Sequence, residues 1–198
     1  MQIHESYKLK EKEITSRLNQ FKSLQEKDRL NEFMFCLLTP QSNAQRCWQA
    51  VEEISKLKKL EETKVIEILK TRTRFHNTKA KRILSAKDMY SSISPLLSNL
   101  DVLQLRNQIA EKVNGYGLKE ASHFLRNIGL SNNKIAILDR HILRNLKARG
   151  VISSDKIKSE KQYLELEQSY LQFAGSLNIP ADALDLFFWS QENGEIFK

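Results

Sequence analysis

The chain has 198 residues, of which 40% are hydrophobic, with three prolines, six glycines and two cysteines. That length is ample for a buried core, and two cysteines exclude a disulfide framework or a four-cysteine metal site. The formal net charge of +8 favours a polyanionic partner, nucleic acid or an anionic surface, and no apolar run approaches the roughly 20 residues that span a bilayer.

Leu, Ile, Lys and Glu are abundant and strand-like alternation is scarce, which predicts an all-α chain. The opening MQIHESYKLKEKE lacks an apolar signal core, so an intracellular protein is expected. Residues 5–22 read as an amphipathic helix with Ile14, Leu18 and Phe21 inward. Residues 28–38 read as a more buried helix, with Cys36 a buried thiol, and Pro40 breaks it. The next helix carries Ala44, Cys47, Trp48, Val51 and Ile54, and Val65, Ile66 and Leu69 mark a short one. Residues 71–82 are polar and basic around Phe75, and another helix starts near Asn77 to bury Ala80, Ile83 and Leu84. Pro95 and its serines mark a turn, after which Val102, Leu105, Ile109 and Val113 line a helix. Gly115 and Gly117 then flank one residue, and Lys119 follows. The segment with Ala121, Phe124, Leu125 and Ile128 on one face stops at Gly129. The apolar run Ile135–Leu138 delivers Asp139 to the start of a helix that Gly150 ends. A long helix runs from Tyr163 to Leu177. Pro180 is expected in the first turn of a final helix carrying Leu184, Phe187, Phe188 and Trp189.

A Gly-x-Gly hairpin between helices can aim backbone N–H groups at one anion, and Gly115 and Gly117 are the candidates for that contact with a DNA backbone. Lys119 sits beside it. A lysine becomes a nucleophile when its amine is neutral, and attack on a sugar C1′ would release a base and leave a Schiff base. Asp139 can supply a carboxylate that stabilises the developing oxocarbenium charge. Against this, a lysine near a helix start is often merely solvated, and Asp139 is in any case an excellent N-cap. The two roles of Asp139 are compatible, because a cap can leave one oxygen free.

GYGLKEASHFLRNIG followed by ILDRHILR resembles the 8-oxoguanine DNA glycosylase/AP lyases of the second type, known mainly from archaea, in the helix-hairpin-helix superfamily of endonuclease III. The likeness continues through LLTPQ, RFHNTKAKRI and FFWSQENGEIFK. It implies two helical subdomains with a DNA-binding cleft, one of residues 1–24 and 140–198, the other the helix-hairpin-helix subdomain of 25–139. It implies Lys119 as Schiff-base nucleophile and Asp139 as catalytic carboxylate, although the loop from Gly129 to Ile135 is slightly longer than the family pattern. Excision of 8-oxoguanine with β-elimination at the abasic site is the expected activity, on double-stranded DNA, by a monomer. No organic cofactor or catalytic metal is expected, with a monovalent cation at the hairpin carbonyls as the superfamily's addition. Adenine and oxidised-pyrimidine members carry an iron–sulfur cluster on four late cysteines, and no cysteine follows Cys47 here.

A base inside a duplex must be flipped out to react. Asp185 and Trp189, four apart on one helix face, suit a carboxylate that accepts from guanine N1–H and an indole that stacks; core packing is the alternative for Trp189. Phe75 is the candidate opposite wall. Gln41 could fill the hole left by the flipped base or contact its partner cytosine, or be an ordinary turn residue. Arg140, with Arg72, Arg74, Lys79, Lys81, Arg82 and Arg144, is a candidate phosphate contact. At the chain end, Ile196 and Phe197 would anchor Lys198 so that a terminal carboxylate or carbonyl oxygen accepts from N7–H of the oxidised base, fraying being the ordinary alternative for a terminus. His123 and Arg126 lie in the familiar stretch with no role assigned. The rival readings are a glycosylase/lyase for another lesion and a non-catalytic helix-hairpin-helix DNA-binding module.

Overall fold

The computed structural model describes residues 3–99 and 101–198. These are helical with no strand among them: α1 (Ile3–Lys22), α2 (Glu26–Leu38), α3 (Ala44–Ser55), α4 (Glu62–Lys70), α5 (His76–Leu84), α6 (Ala86–Ile93), a 3-10 turn (Ser94–Ser98), α7 (Val102–Lys112), α8 (Leu118–Asn127), α9 (Arg140–Ala148), α10 (Glu160–Ser176) and α11 (Ala181–Asn193). Contacts divide the chain into two compact units, Leu24–Phe124 and Met1–Ser23 with Leu125–Lys198. The division falls inside α8, ahead of the 139/140 boundary expected from sequence.

In the unit Leu24–Phe124, α2 is the central helix, with α3, α5 and α6 packed on it. Its polar first turns are exposed or half-buried, and it is buried without a break from Glu32 to Leu38, where the run Phe33–Leu38 is apolar all round. Phe33 is the hub: the rings of Tyr90, Tyr116 and Phe124 lie 5.7, 5.1 and 5.7 Å from its own. Cys36 and Cys47 are buried free thiols. Two details depart from the periodicity. Ile68, not Ile66, joins Val65 and Leu69 in the core. The stretch after Asn77 is two helices, α5 and α6, hinged at Ser85 (φ −91°, ψ 0°). No glycine or proline announces that hinge. Packing decides it, since both helices lie against α2.

In the second unit α11 is central, contacted by α1, α9 and α10. Ile14, Phe21 and Tyr7 of α1 are buried, and the Tyr7 ring meets Phe187 edge-on at 5.8 Å. Leu18, expected inward, is half-buried. Pro180 precedes α11 as its N-cap, with extended backbone (ψ 140°), rather than lying in the first turn. Gly129 ends the α8 segment as expected, at φ +74°, and a Cβ there would come within 2.6 Å of the Lys22 backbone.

Candidate active site

The hairpin between α7 and α8 is a tight turn closed by Tyr116 N–H donating to Val113 O at 3.0 Å. Gly115 takes φ +103°, and a Cβ on it would meet the Arg82 side chain at 2.6 Å. The positive φ calls for glycine, whereas the flexible end of Arg82 can move aside. Gly117 is different: an added Cβ would find an ordinary contact, 3.5 Å from Glu120 Oε2. Tyr116 between them is buried and donates its hydroxyl to Phe33 O at 2.8 Å, which pins the turn to the core. Beside the turn opens a cavity of about 450 Å³ whose lining includes Asn77, Lys81, Arg82 and Asn114.

Lys119 lies in the first turn of α8. Its Nζ is 2.8 Å from Glu120 Oε1, while Glu120 Oε2 accepts from Gly117 N–H at 3.1 Å. One carboxylate therefore caps the helix and holds the amine. Sequence reasoning missed Glu120, although a glutamate three residues after the capping position is the usual spacing for such a bond.

Gln41 and Phe75 are both exposed and both in the left-handed region, at φ +55° and +57°. A non-glycine residue there costs on the order of 1–3 kcal/mol and persists when its surroundings over-determine it. The Phe75 side chain is 56% exposed, with the Arg74 guanidinium 5.5 Å from its ring. Lys79, expected to meet phosphate, is instead only 2% exposed. Arg72 is also committed elsewhere, to Glu53 at 2.7 Å.

In the other unit, Ile135–Leu138 is a buried segment held by α10: Ala136 N–H donates to Glu167 Oε1 and Tyr163 donates its hydroxyl to Ala136 O, both at 2.7 Å. It delivers Asp139 as the N-cap of α9, where Oδ1 accepts from His141 N–H at 2.8 Å and Ile142 N–H at 2.9 Å. Both bonds fall on Oδ1, so Oδ2 has no partner among the described residues. Arg140 is exposed, its Nε 3.4 Å from the His141 ring, which in turn pairs with Glu192.

Asp185 is buried in α11 and paired with Arg126 Nη2 at 3.1 Å. Arg126, left without a role by the sequence, also lies 5.2 Å over the Phe21 ring. Burial pushes the Asp185 carboxyl up to about 7, Arg126 opposes this, and Asp139 and Asp182 reinforce it. Trp189 is half-buried, with the Phe197 ring 6.0 Å away and tilted 33°. Ile196 and Lys198 are buried, so the last residues are packed rather than frayed. Asp185 and Trp189 both lie on α11, as the helical spacing implied, and Phe197 of the chain end packs beside Trp189.

Residues 14–179 match the family model described as 8-oxoguanine DNA glycosylase. The chain belongs to that family. An 8-oxoguanine DNA glycosylase/AP lyase of Fusobacterium nucleatum is 36% identical over 100% of this chain and 96% of its own length. One from Picrophilus torridus is 32% identical over 93% and 90%. The crystal structure of the Methanocaldococcus jannaschii 8-oxoguanine glycosylase/lyase in complex with a 15mer DNA containing 8-oxoguanine matches with TM-score 0.87 and 28% identity over 100% of both chains. The 8-oxoguanine DNA glycosylase of Thermotoga maritima gives 0.86 and 30%, over 98% and 97%. The glycosylase family model takes in Gln41, Phe75, Lys119 and Asp139; Asp185, Trp189 and Lys198 follow its end and fall within the full-length likeness to the Fusobacterium nucleatum protein.

Proposed function

We propose that this chain is a bifunctional 8-oxoguanine DNA glycosylase/AP lyase, acting as a monomer on double-stranded DNA that contains the lesion or an abasic site. Lys119 is the nucleophile. Its neutral amine attacks C1′, the N-glycosidic bond breaks, and the base leaves with the bonding electrons and takes up a proton. The resulting Schiff base acidifies the C2′ proton, whose removal expels the 3′ phosphate. Asp139, with Oδ2 not used in capping, stabilises positive charge on the sugar ring. The hairpin amides around Gly115 and Gly117, with Arg140, contact the DNA backbone, and the basic cavity beside Asn114 suits the same polyanion. Val113 O accepts one hydrogen bond and keeps a lone pair for a monovalent cation there.

Asp185 accepts from N1–H and the 2-amino group of the flipped base, Trp189 and Phe75 stack on it, and a backbone oxygen of Lys198 accepts from N7–H, which guanine lacks. That last contact would separate the two bases by about 1–3 kcal/mol. Gln41 fills the space the base vacates or meets the partner cytosine. The observation that carries the reading is Lys119 at the start of α8, directly after the Gly115–Gly117 turn, in a chain of this family. A panel of duplexes with 8-oxoguanine, other lesions or an abasic site tests it. Base release and strand cleavage should be greatest on 8-oxoguanine, with borohydride trapping the enzyme on the abasic duplex. Binding without trapping would leave a non-catalytic DNA-binding module.

A further inference from the structure

Lys79 is a lysine removed from water and surrounded by acceptors. Its Nζ donates to Leu38 O at 2.7 Å, to Pro40 O at 2.8 Å and to Ser42 Oγ at 2.8 Å, which uses all three ammonium donors. Ser42 Oγ also accepts from Arg74 N–H at 2.9 Å, and Lys79 N–H donates to Phe75 O at 3.0 Å in the first turn of α5. One ammonium and one hydroxyl therefore clasp two loops far apart in sequence, 39–42 and 73–75. Each loop holds a residue at positive φ with an exposed side chain, Gln41 in one and Phe75 in the other. Those conformations are strained on their own, and the clasp supplies the bonds that over-determine them.

Burial pulls the Lys79 amine down to about 8, with Cys47 opposing and the charges of Arg82, Lys119 and Arg74 adding to the fall. A lysine shifted this way has the chemistry of a nucleophile. Its three committed donors and its burial rule out attack on DNA, so its role lies in what it holds.

We propose that Lys79 is a positioning residue for lesion recognition, setting the Gln41 loop and the Phe75 loop in register so that the side chain facing the vacated position and the side chain stacking on the base are placed together. The proposal rests on the reading of Gln41 and Phe75 given above. It goes beyond that reading in coupling the two and in assigning the coupling to Lys79 and Ser42.

The test is Lys79→Met, which keeps the unbranched apolar stem of the side chain and removes the donors. Single-turnover excision from 8-oxoguanine paired with cytosine should fall at least about tenfold, and the ratio of rates opposite cytosine and adenine should move toward one. Cleavage at a preformed abasic site, where no base is stacked, should stay within about twofold. Ser42→Ala removes the shared hydroxyl alone and should show the same pattern at about threefold, with Ser42→Thr restoring the wild-type values; this pair carries the test if Lys79→Met does not fold. Unchanged excision and unchanged opposite-base ratio in the folded variants would overturn the proposal, and so would an equal loss of abasic-site cleavage, which marks general damage. If the wild-type chain itself showed no 8-oxoguanine excision, the reading of Gln41 and Phe75 would fall instead; if it showed excision without opposite-base preference, only the cytosine contact of Gln41 would fall, and the excision rates alone would decide the proposal.

Discussion

Around Lys79, burial already disfavours an ammonium, and Arg82, Lys119 and Arg74 add positive charge to the same neighbourhood. Around Asp185, burial disfavours a carboxylate, Arg126 offsets part of this, and Asp139 and Asp182 add negative charge. The hairpin unit thus concentrates cations near its candidate residues, and the α11 unit concentrates carboxylates near its own. Like charges crowded together oppose folding, so each cluster is a stability liability that a ligand of opposite character relieves. Under the proposed function, that ligand is phosphate for the exposed cations around the hairpin. Under the same proposal, for the carboxylates it is a set of N–H donors on a base edge and a sugar ring that develops positive charge. The two units also differ in how they treat a helix start. At α9 the functional candidate is the cap itself, Asp139. At α8 the amine is left to Lys119 and the capping to its neighbour Glu120.

Lys119→Gln should have the largest effect. Base release and borohydride trapping should drop by about a thousandfold or more, because no neighbouring amine can replace the attacking group, while DNA binding measured by anisotropy persists. Trapping at wild-type yield would remove Lys119 from the mechanism. Asp139→Asn comes next. The amide oxygen can still cap α9, so the thermal midpoint should hardly move, yet single-turnover excision should slow by about a hundredfold from loss of the charge. Equal rates would reduce Asp139 to a cap and break the contrast between the two helix starts.

The Asp185 carboxyl, with its folded-state value near 7, predicts a pH effect of intermediate size. As pH falls through about 7 it gains a proton and stops accepting from N1–H, so 8-oxoguanine excision should fall on the acid side while abasic-site cleavage lacks that limb. The stability sign is opposite to that of an ordinary paired carboxylate. The folded state binds the proton more tightly than the unfolded state, so this group makes the fold less stable as pH rises from about 4 to about 7. Asp185→Asn should erase both trends, and excision profiles that superimpose between the two proteins would exclude Asp185 from base reading. The smallest effect separates the two hairpin glycines. Gly115→Ala should lower stability by about 1–3 kcal/mol in a denaturant titration, from its positive φ. Gly117→Ala should stay within about 0.5 kcal/mol. Equal penalties would mean that both positions are held by backbone geometry.

The sequence by itself determined the helical class, the hairpin, Lys119 and Asp139 at two helix starts, and Asp185 and Trp189 on one helix face. These follow from local rules: apolar spacing near 3.6 residues, capping chemistry, glycine at turns. The tertiary structure decided what no local rule sees. The α5–α6 hinge at Ser85 carries no breaker residue and exists because both helices pack on α2. Lys79 looked like one more surface cation in a basic stretch, and its burial depends on carbonyls about 40 positions away in the chain. Arg126 reads as the polar side of an amphipathic helix, and it is 2% exposed because Phe21 and Asp185 close over it. A charge enters a core when distant acceptors or a counter-charge offset its lost hydration, and those partners are assembled by the fold and not by neighbours in sequence.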